Sequence, residues 1–352
     1  ELSDPLQRMD AVAHRRGRTS TGFWIALALT IICAAALISL GTLRRTSPGG
    51  DSTASSGQTL TVMTRNLYLG GNIDRPIRAA YDRTGTEGVL ALGHANHELR
   101  EIVERTDFRT RSRLLADEIA AARPDLVGLQ EVALWRHGPM QLDKIGQLNA
   151  TDVDYDFLAI LLSDLASRGT RYEVASAQQE SDVEAPAFTG SPLSGTAGAA
   201  EDVRLTDRDV ILLRNDSGIP IEGRGGGHYT AQFRVQLGDV TFPFVRGYAW
   251  ADIAVGSTTI RFITTHLESH SAKLARAQAD ELLNGPGGNP GVPTVIVCDC
   301  NSNPASLAAR TPLPIGSGGA YRLLTNDDGF ADLWLHQPGR ADPGSTATLD
   351  EL

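Results

Sequence analysis

Two polar residues that follow one apolar run, Asp299 and Asn301, are the most informative feature of the sequence. The run Thr294-Val-Ile-Val-Cys298 predicts a short buried strand. Because side chains alternate between the two faces of a strand, residues two positions apart point the same way. A carboxylate and an amide held side by side can orient a water molecule and bind a phosphoryl oxygen or a cation. Taken alone, the segment is also good turn chemistry, so it needs support from elsewhere.

Three further segments repeat this pattern of an apolar strand followed by one chemically useful group. Leu60–Asn66 ends in an amide, Pro124–Glu131 in a carboxylate and Ile260–His266 in an imidazole. Phosphodiester hydrolysis needs an activated water, a neutralised phosphate and help for the leaving oxygen. Hard divalent cations supply the first two, and Mg²⁺ prefers carboxylate oxygen with several waters retained.

Each of these groups also has a structural interpretation. Asn66 is compatible with an Asx turn, and a lone strand histidine such as His266 is more often a satisfied core residue than a catalyst. Glu131 is the best candidate metal ligand, because a carboxylate at the end of an apolar strand is costly to bury without a cation or a donor.

Three charged residues are weaker candidates for substrate binding. Arg246, just before a predicted strand, would contact a phosphate bidentately. Asp207 and Asp209 share one face of another predicted strand and would orient His266. A surface salt bridge is an equally good interpretation of each.

In this order and spacing, the four segments resemble the endonuclease/exonuclease/phosphatase superfamily. Its members include DNase I-like nucleases, base-excision endonucleases, neutral sphingomyelinases and inositol polyphosphate 5-phosphatases. The resemblance runs from about Leu60 to the end of the chain. It implies an α/β fold, a four-layer sandwich in which two mixed β-sheets lie face to face between outer layers of helices.

The resemblance also implies a role for each residue. Glu131 and Asn66 would hold the metal, Mg²⁺ with Mn²⁺ as the alternative. Asp299 and Asn301 would orient the attacking water and stabilise the transition state. His266 would hydrogen-bond the scissile phosphate or assist proton transfer, which suits a group that titrates near neutrality.

The family pattern continues with Arg-Ile-Asp and then Ser-Asp-His, whose histidine is the general base. This chain reaches Leu352 where Arg-Ile-Asp is expected, and it begins at Glu1 rather than Met. We therefore expect a fragment of a longer protein, truncated before the Ser-Asp-His motif. If Leu352 is the true end, a catalytically inactive binding or scaffold protein becomes the better hypothesis.

Hydrophobic periodicity predicts the elements that must position these groups. The predicted helices are 108–123, 153–168 and 271–284. The predicted strands, besides those above, are 172–177, 203–214, 229–236, 247–255 and 257–266. Two Gly-rich stretches, 189–200 and 223–227, are predicted to be mobile loops.

The cysteines do not indicate a disulfide framework. Cys33 lies in an apolar N-terminal segment, while Cys298 and Cys300 flank Asp299 and are expected to face away from it into the core. They replace the Gly and Phe of the family's Gly-Asp-Phe-Asn pattern. No further Cys or His lies close enough in sequence to support a metal site there.

The N-terminal region predicts export. Residues 19–43 carry no charge, and Phe23–Leu40 approaches the roughly 20 apolar residues that span a bilayer. More arginines precede this stretch than follow it, which places the N-terminus in the cytoplasm. We predict a basic cytoplasmic segment (1–21), a transmembrane helix or signal anchor (22–43), a flexible linker (44–58) and an extracytoplasmic domain (59–352). The alternative is a cleaved signal peptide and a secreted protein.

The composition bears on the substrate. The chain of 352 residues has 32 basic and 42 acidic residues, a formal charge of −10. This balance weighs against tight, sequence-independent binding of duplex DNA. We expect a phosphoester substrate, with a lipid or small phosphodiester favoured. An exported nuclease is the alternative, and a basic groove formed by Arg246 and the arginines of helix 108–123 would support it. No protein partner can be inferred.

Overall fold

The computed structural model describes residues 59–81, 83–145, 147–196, 198–237, 240–288, 291–302, 319–327 and 329–336. The predicted basic segment, the membrane or signal helix 22–43 and the linker 44–58 lie outside these residues. Within them, no helix combines the length and the apolar character needed to cross a bilayer. Export and anchoring stay predictions.

The described residues form twelve strands and six α-helices. The strands are β1 (Val62–Asn66), β2 (Leu126–Gln130), β3 (Leu134–Gly138), β4 (Asp152–Asp156), β5 (Tyr172–Phe188), β6 (Ala200–Arg214), β7 (Ile221–His228), β8 (Phe233–Leu237), β9 (Val240–Phe244), β10 (Gly247–Val255), β11 (Thr258–His266) and β12 (Thr294–Asp299). The helices are α1 (Asp74–Ala80), α2 (Gly85–Arg105), α3 (Phe108–Ala122), α4 (Phe157–Ser167), α5 (Ala272–Leu283) and the short α6 (Gly319–Arg322), which continues into a π-helical turn, Leu323–Asp327.

A six-stranded mixed sheet is organised around the long strand β6. One side of β6 pairs first with β3 and then with β2, and the other side pairs with β5, all antiparallel. Strand β1 pairs with β2 in parallel, with Asn66 opposite Gln130. Residues 131–133 leave the β2 pairing before β3 begins, so the chain bends there opposite Asp207–Asp209 of β6.

A second, four-stranded sheet has the order β12-β11-β10-β7. Among the described residues it has one parallel pair, β11 with β12, in which His266 lies opposite Asp299. Strands β8 and β9 form a separate hairpin. Each large sheet thus has one parallel pair, and the carboxyl ends of both pairs carry the predicted chemical groups.

The two large sheets pack face to face, as predicted. Their shared core includes Leu126 and Ile211 from one sheet and Ala249 and Phe262 from the other. The sheets approach closely at Gly128, where a Cβ atom would collide with the Val297 side chain. Helices α2, α3 and α4 cover the outer face of the six-stranded sheet, and α5 covers the outer face of the four-stranded sheet.

Helix boundaries follow local capping chemistry. The Asp107 carboxylate accepts the Thr110 N–H and begins α3, and Pro124 follows its end at Arg123. Ser271 caps α5 in the same way. The predicted helix 153–168 is correct only from Phe157, because Asp152–Asp156 pairs with β3 as strand β4 and Asp156 then caps the helix.

Several sequence-based element predictions were wrong. The stretch 223–227 is not a mobile loop but the middle of β7, paired with β10. Its glycines leave room for the aromatic side chains of Trp250 and Tyr248, which lie against them. The strand predicted at 229–236 begins only at Phe233. Helices α1 and α2, strand β3 and the length of β5 were not predicted.

A half-buried histidine joins α1 to the loop that follows β11. His270 contacts Glu268 through Nδ1 at 2.7 Å and Asp74 of α1 through Nε2 at 2.8 Å. Its ring stacks on Phe233 and packs against Phe244. Burial by itself lowers the pKa of His270, but the two carboxylates outweigh burial and raise it to about 9. The ring is therefore an imidazolium at neutral pH.

We expect this contact to make stability depend on pH above neutrality. Since the folded-state pKa lies above the ordinary value of about 6.5, the stabilisation is complete below that pH and is lost as pH rises through about 9. A shift of this size corresponds to roughly 3 kcal/mol. We expect the free energy of unfolding of the native protein, measured by urea denaturation, to fall between about pH 7 and 9.5. The fall should be ~2–3 kcal/mol larger for the native protein than for the His270→Gln variant.

A matched control replaces an exposed histidine. His94→Gln should keep the native pH dependence, because His94 lies at the surface and away from this contact. Parallel pH–stability curves for the native protein and His270→Gln would contradict the assignment of a charged His270.

Candidate active site

Five predicted residues meet where the two parallel strand pairs end. Asn66 and Glu131 come from the six-stranded sheet, and His266, Asp299 and Asn301 come from the four-stranded sheet. Hydrogen bonds join Asn66 to Glu131 within its own sheet and to Asp299 across the gap between the sheets, and Asn301 lies beside His266. The strand ends that the sequence singles out therefore lie together, and their role as one site stays a prediction.

The first half of the site is built around the Asn66 amide. Its Nδ2 donates to Glu131 Oε1 at 2.9 Å, and its Oδ1 accepts the backbone N–H of Tyr68 at 2.8 Å. Glu131 has left-handed backbone geometry, φ +55°, directly after β2, and its Oε2 accepts the Leu69 N–H at 2.7 Å. The bend between β2 and β3 is thus what turns the Glu131 carboxylate toward Asn66.

The second half is joined to the first through Asp299. Asn66 Nδ2 also donates to Asp299 Oδ2 at 2.9 Å, so one amide nitrogen contacts carboxylates from both sheets. Burial raises the pKa of Asp299, but His266, the Asn66 amide and the Asn301 backbone N–H outweigh burial and hold it below its usual value. Asp299 is therefore ionised at neutral pH.

Asn301 also reaches the site, but not through the strand alternation that the sequence predicts. Strand β12 ends at Asp299, and Asn301 has left-handed geometry, φ +43°. Its Nδ2 donates to the Leu267 carbonyl at 2.8 Å and lies 3.0 Å from His266 Nε2. Both predicted polar groups reach the site, although β12 is half-buried along its whole length rather than buried.

The nearest charged group to His266 is a cation, while the closest oxygens of Glu131 and Asp299 lie 3.9 and 4.0 Å from the ring nitrogens. Arg246 Nη1 lies 2.9 Å from His266 Nδ1, and both side chains are buried. Because arginine has donors and no acceptor, Nδ1 is the acceptor and Nε2 carries the ring hydrogen. The 3.0 Å approach of Asn301 Nδ2 to Nε2 is then a contact between two donors and not a hydrogen bond, which leaves the Nε2–H without an acceptor in the site. Burial and then Arg246 lower the pKa of His266 to about 4. The expectation of a histidine that titrates near neutrality is therefore wrong, and the neutral ring acts as an Nε2–H donor.

Arg246 lies among buried acidic side chains. Asp207 Oδ2 lies 3.5 Å from Arg246 Nη1, so Asp207 acts on His266 through the arginine and not directly. Burial raises the pKa of Asp207 to about 7. Burial and neighbouring carboxylates also hold the pKa values of Asp209 and Glu180 well above their usual range. In this arrangement Arg246 positions His266, and its buried guanidinium is not available to bind a phosphate group of a substrate.

The donor set at the junction of the sheets fits a divalent cation. Glu131 and Asp299 each direct one carboxylate oxygen toward the same Asn66 nitrogen, so two oxygens converge on one point. Mg²⁺ commonly binds through one or two carboxylates and keeps several waters. The described residues contain no group of three or more His, Cys, Asp or Glu side chains placed to hold a metal. In the orientation seen, Asn66 presents N–H donors, which makes Glu131 and Asp299 the ligand candidates.

Cys298 and Cys300 form a disulfide that brackets Asp299. This corrects the expectation that the cysteines form no disulfide. The physical reason is the strand alternation itself, because residues two apart in sequence project on the same side of the chain. The pair is half-buried, and Cys300 packs against the core between α5 and the four-stranded sheet.

Three residues near the site were missed from the sequence. Gln130 is buried and donates to Thr264 Oγ1 of the facing sheet at 2.8 Å. Arg111 of α3 donates to the Leu67 and Tyr68 carbonyls and so fixes the chain that leaves β1. Glu180 lies on β5 beyond the predicted strand. Only Gln130, next to Glu131 at a strand end, carried a signal in the sequence.

Comparisons with known proteins give matches among solved structures only. No protein-family model and no curated protein matches the chain. TDP2 from Caenorhabditis elegans matches with 15% identity over 58% of this chain and 45% of that chain, with a TM-score of 0.31. A mannosyl-6-phosphatase from Bacteroides thetaiotaomicron matches with 15% identity over 70% of this chain and 67% of that chain, with a TM-score of 0.35.

A protein described as an endonuclease/exonuclease/phosphatase family member, also from B. thetaiotaomicron, matches with 12% identity over 76% of this chain and 68% of that chain, with a TM-score of 0.38. The matched structures thus include the superfamily that the sequence motifs resemble. The chain spans less than half of the nematode protein. At these scores the similarities assign no activity, and the function has to be argued from the site.

We expect His266 to be the Nε2–H tautomer at neutral pH. In ¹⁵N-histidine NMR spectra, its Nδ1 should show an acceptor-type shift and its Nε2 a protonated-type shift, with no titration between about pH 5.5 and 8. His266→Gln identifies the signal among the eight histidines. A protonated Nδ1, or a titration midpoint near 6.5, would show that Arg246 does not set the state of this ring.

Proposed function

We propose that this protein is a metal-dependent phosphoesterase that hydrolyses a phosphodiester. One observation carries the proposal. An amide, two carboxylates, a neutral imidazole and a second amide, delivered by four strand ends of two sheets, converge within hydrogen-bonding distance of one another. This set provides anionic oxygens for a cation and N–H donors for a phosphoryl group side by side.

In the proposed mechanism, the charge of each site residue determines its role. Glu131 and Asp299 would hold Mg²⁺, which would neutralise phosphate charge and lower the pKa of a bound water. Asp299 is ionised and accepts a hydrogen bond, so it can orient the attacking water. His266 donates its Nε2–H to a non-bridging phosphoryl oxygen, and the Asn301 amide beside it supports the same charge. Donors fixed before the substrate arrives stabilise charge that develops in the transition state.

The substrate we favour is a lipid or small phosphodiester. A nuclease would need a basic groove, and two of the arginines expected to form it are engaged elsewhere. Arg246 is buried against His266 and Asp207, and Arg111 donates to backbone carbonyls. Together with a formal charge of −10, this supports a substrate that presents few phosphates. We further propose export or membrane anchoring, on the strength of residues 22–43 of the sequence.

Removing one carboxylate charge should abolish activity without unfolding the protein. Glu131→Gln keeps the size of the side chain but removes the anionic oxygen, so we expect Mg²⁺ affinity and the rate of bis(p-nitrophenyl) phosphate hydrolysis to fall about 100-fold or more. Calorimetry with Mg²⁺ and a steady-state assay would measure the two effects.

The control is Glu173→Gln, an exposed residue of β5, which should retain native binding and rate. Hydrolysis that persists in a metal chelator would contradict the metal requirement. Native rates in both Glu131→Gln and His266→Ala would contradict the assignment of this site.

A further inference from the structure

The Cys298–Cys300 disulfide lies inside the candidate site rather than at a distance from it. Its two sulfurs belong to the residues on either side of Asp299, whose carboxylate contacts Asn66. Asn301, the next residue, contacts His266. A covalent ring therefore encloses the backbone of one site residue and adjoins another.

The backbone between the two bonded cysteines is shorter than an extended strand. The Cα atoms of Cys298 and Cys300 are 5.2 Å apart. Two residues of extended strand span about 6.6 Å, so the segment is contracted by more than 1 Å relative to a strand. The contraction coincides with the end of β12 and precedes the left-handed backbone of Asn301.

The contracted segment holds the site through a compact set of hydrogen bonds. The Asp299 carbonyl accepts the Leu267 N–H at 2.9 Å, and Asp299 Oδ1 accepts the Asn301 N–H at 3.2 Å. Asn301 Nδ2 donates back to the Leu267 carbonyl at 2.8 Å. A change of more than 1 Å in the spacing of Cys298 and Cys300 would pull on all three bonds.

We propose that Cys298 and Cys300 are a redox-modification site that controls the candidate active site. The ligand class is a dithiol reductant. With the disulfide closed, Asp299 and Asn301 are held against Asn66 and His266. With it open, the segment extends toward strand spacing and the two polar groups move out of position. This inference rests on the proposed function for its catalytic consequence.

Reduction of the pair proceeds by thiol–disulfide exchange. One thiolate of the dithiol attacks a sulfur of the pair, forming a mixed disulfide and releasing the other cysteine as a thiolate. The second thiol of the reductant then displaces the remaining cysteine. The reductant leaves as its own disulfide, two electrons are transferred, and both cysteines become thiols after protonation.

Two features make the pair suited to exchange rather than to global stabilisation. Both cysteines are half-buried, so a reductant has access. The loop that the bond closes is very short, and the stabilisation from loop closure grows with loop length. The bond therefore acts on local geometry, and its removal should change the melting temperature little.

The experiment uses the full chain with Cys33→Ser, so that this pair supplies all the thiols. Protein purified without reductant is compared with protein treated with dithiothreitol, desalted anaerobically and then reoxidised. Iodoacetamide labelling and mass spectrometry count the free thiols, with none expected before reduction and two after it. With Mg²⁺ and bis(p-nitrophenyl) phosphate, we expect reduction to lower kcat/KM by about 10- to 100-fold and reoxidation to restore it.

The matched variant is Cys298→Ser with Cys300→Ser. Its activity should equal that of the reduced protein and should not respond to dithiothreitol. Equal rates for fully oxidised and fully reduced protein would overturn the proposal. So would two free thiols in protein isolated without reductant.

Amide hydrogen exchange provides a readout that does not depend on catalysis. Reduction should speed exchange at Leu267 and Asn301 by at least about tenfold, because their N–H groups bond to Asp299, while Ile263 in the centre of β11 stays unchanged. If neither redox form hydrolyses any phosphoester, the proposed function fails and the exchange rates still decide the redox proposal. Unchanged exchange at both amides would overturn the redox control itself.

Discussion

The side-chain amide of Asn66 bridges two carboxylates that would otherwise repel each other. Its nitrogen contacts Glu131 in its own sheet and Asp299, 233 residues away, in the facing sheet. This contact requires that two parallel strand pairs end at the same level and that the sheets approach closely, which Gly128 permits beneath the site. The bend after β2 and the end of β12 then deliver the carboxylates. The fold thus places two carboxylates around one side-chain amide.

Beneath this junction, the buried charges decide what His266 can do. A carboxylate on Nδ1 of a histidine favours the imidazolium and suits proton transfer. Here a guanidinium occupies that position, and Asp207 lies 3.5 Å from the same guanidinium nitrogen. The ring is consequently a neutral donor, and Asp299, ionised at neutral pH, is the acceptor beside it. His266 is thus the hydrogen-bond donor and Asp299 the hydrogen-bond acceptor. Neither group is suited to proton transfer at neutral pH.

The sequence predicted the strand ends well because each is a local pattern of an apolar run and one polar residue. It also predicted the layered α/β architecture and the helices at 108–123 and 271–284. It did not predict that Arg246 is buried against His266, because this pairing depends on the register of β10 and β11 and on charges from β5 and β6. It missed β7 because glycines usually indicate turns. Here they make room for Trp250 and Tyr248, a reason that exists only once β10 lies alongside.

Asp299 and Asn301 lie together as the sequence predicts, but on a different physical basis from the expected one. Strand alternation predicts that both side chains point the same way, but the strand ends at Asp299. Among the described residues β12 pairs only with β11, so its end has hydrogen bonds to a single neighbouring strand. The disulfide and the left-handed Asn301 supply the constraint that a second strand would otherwise provide. The position of these groups therefore depends on a covalent bond whose formation depends on the redox environment, and not on sheet register alone.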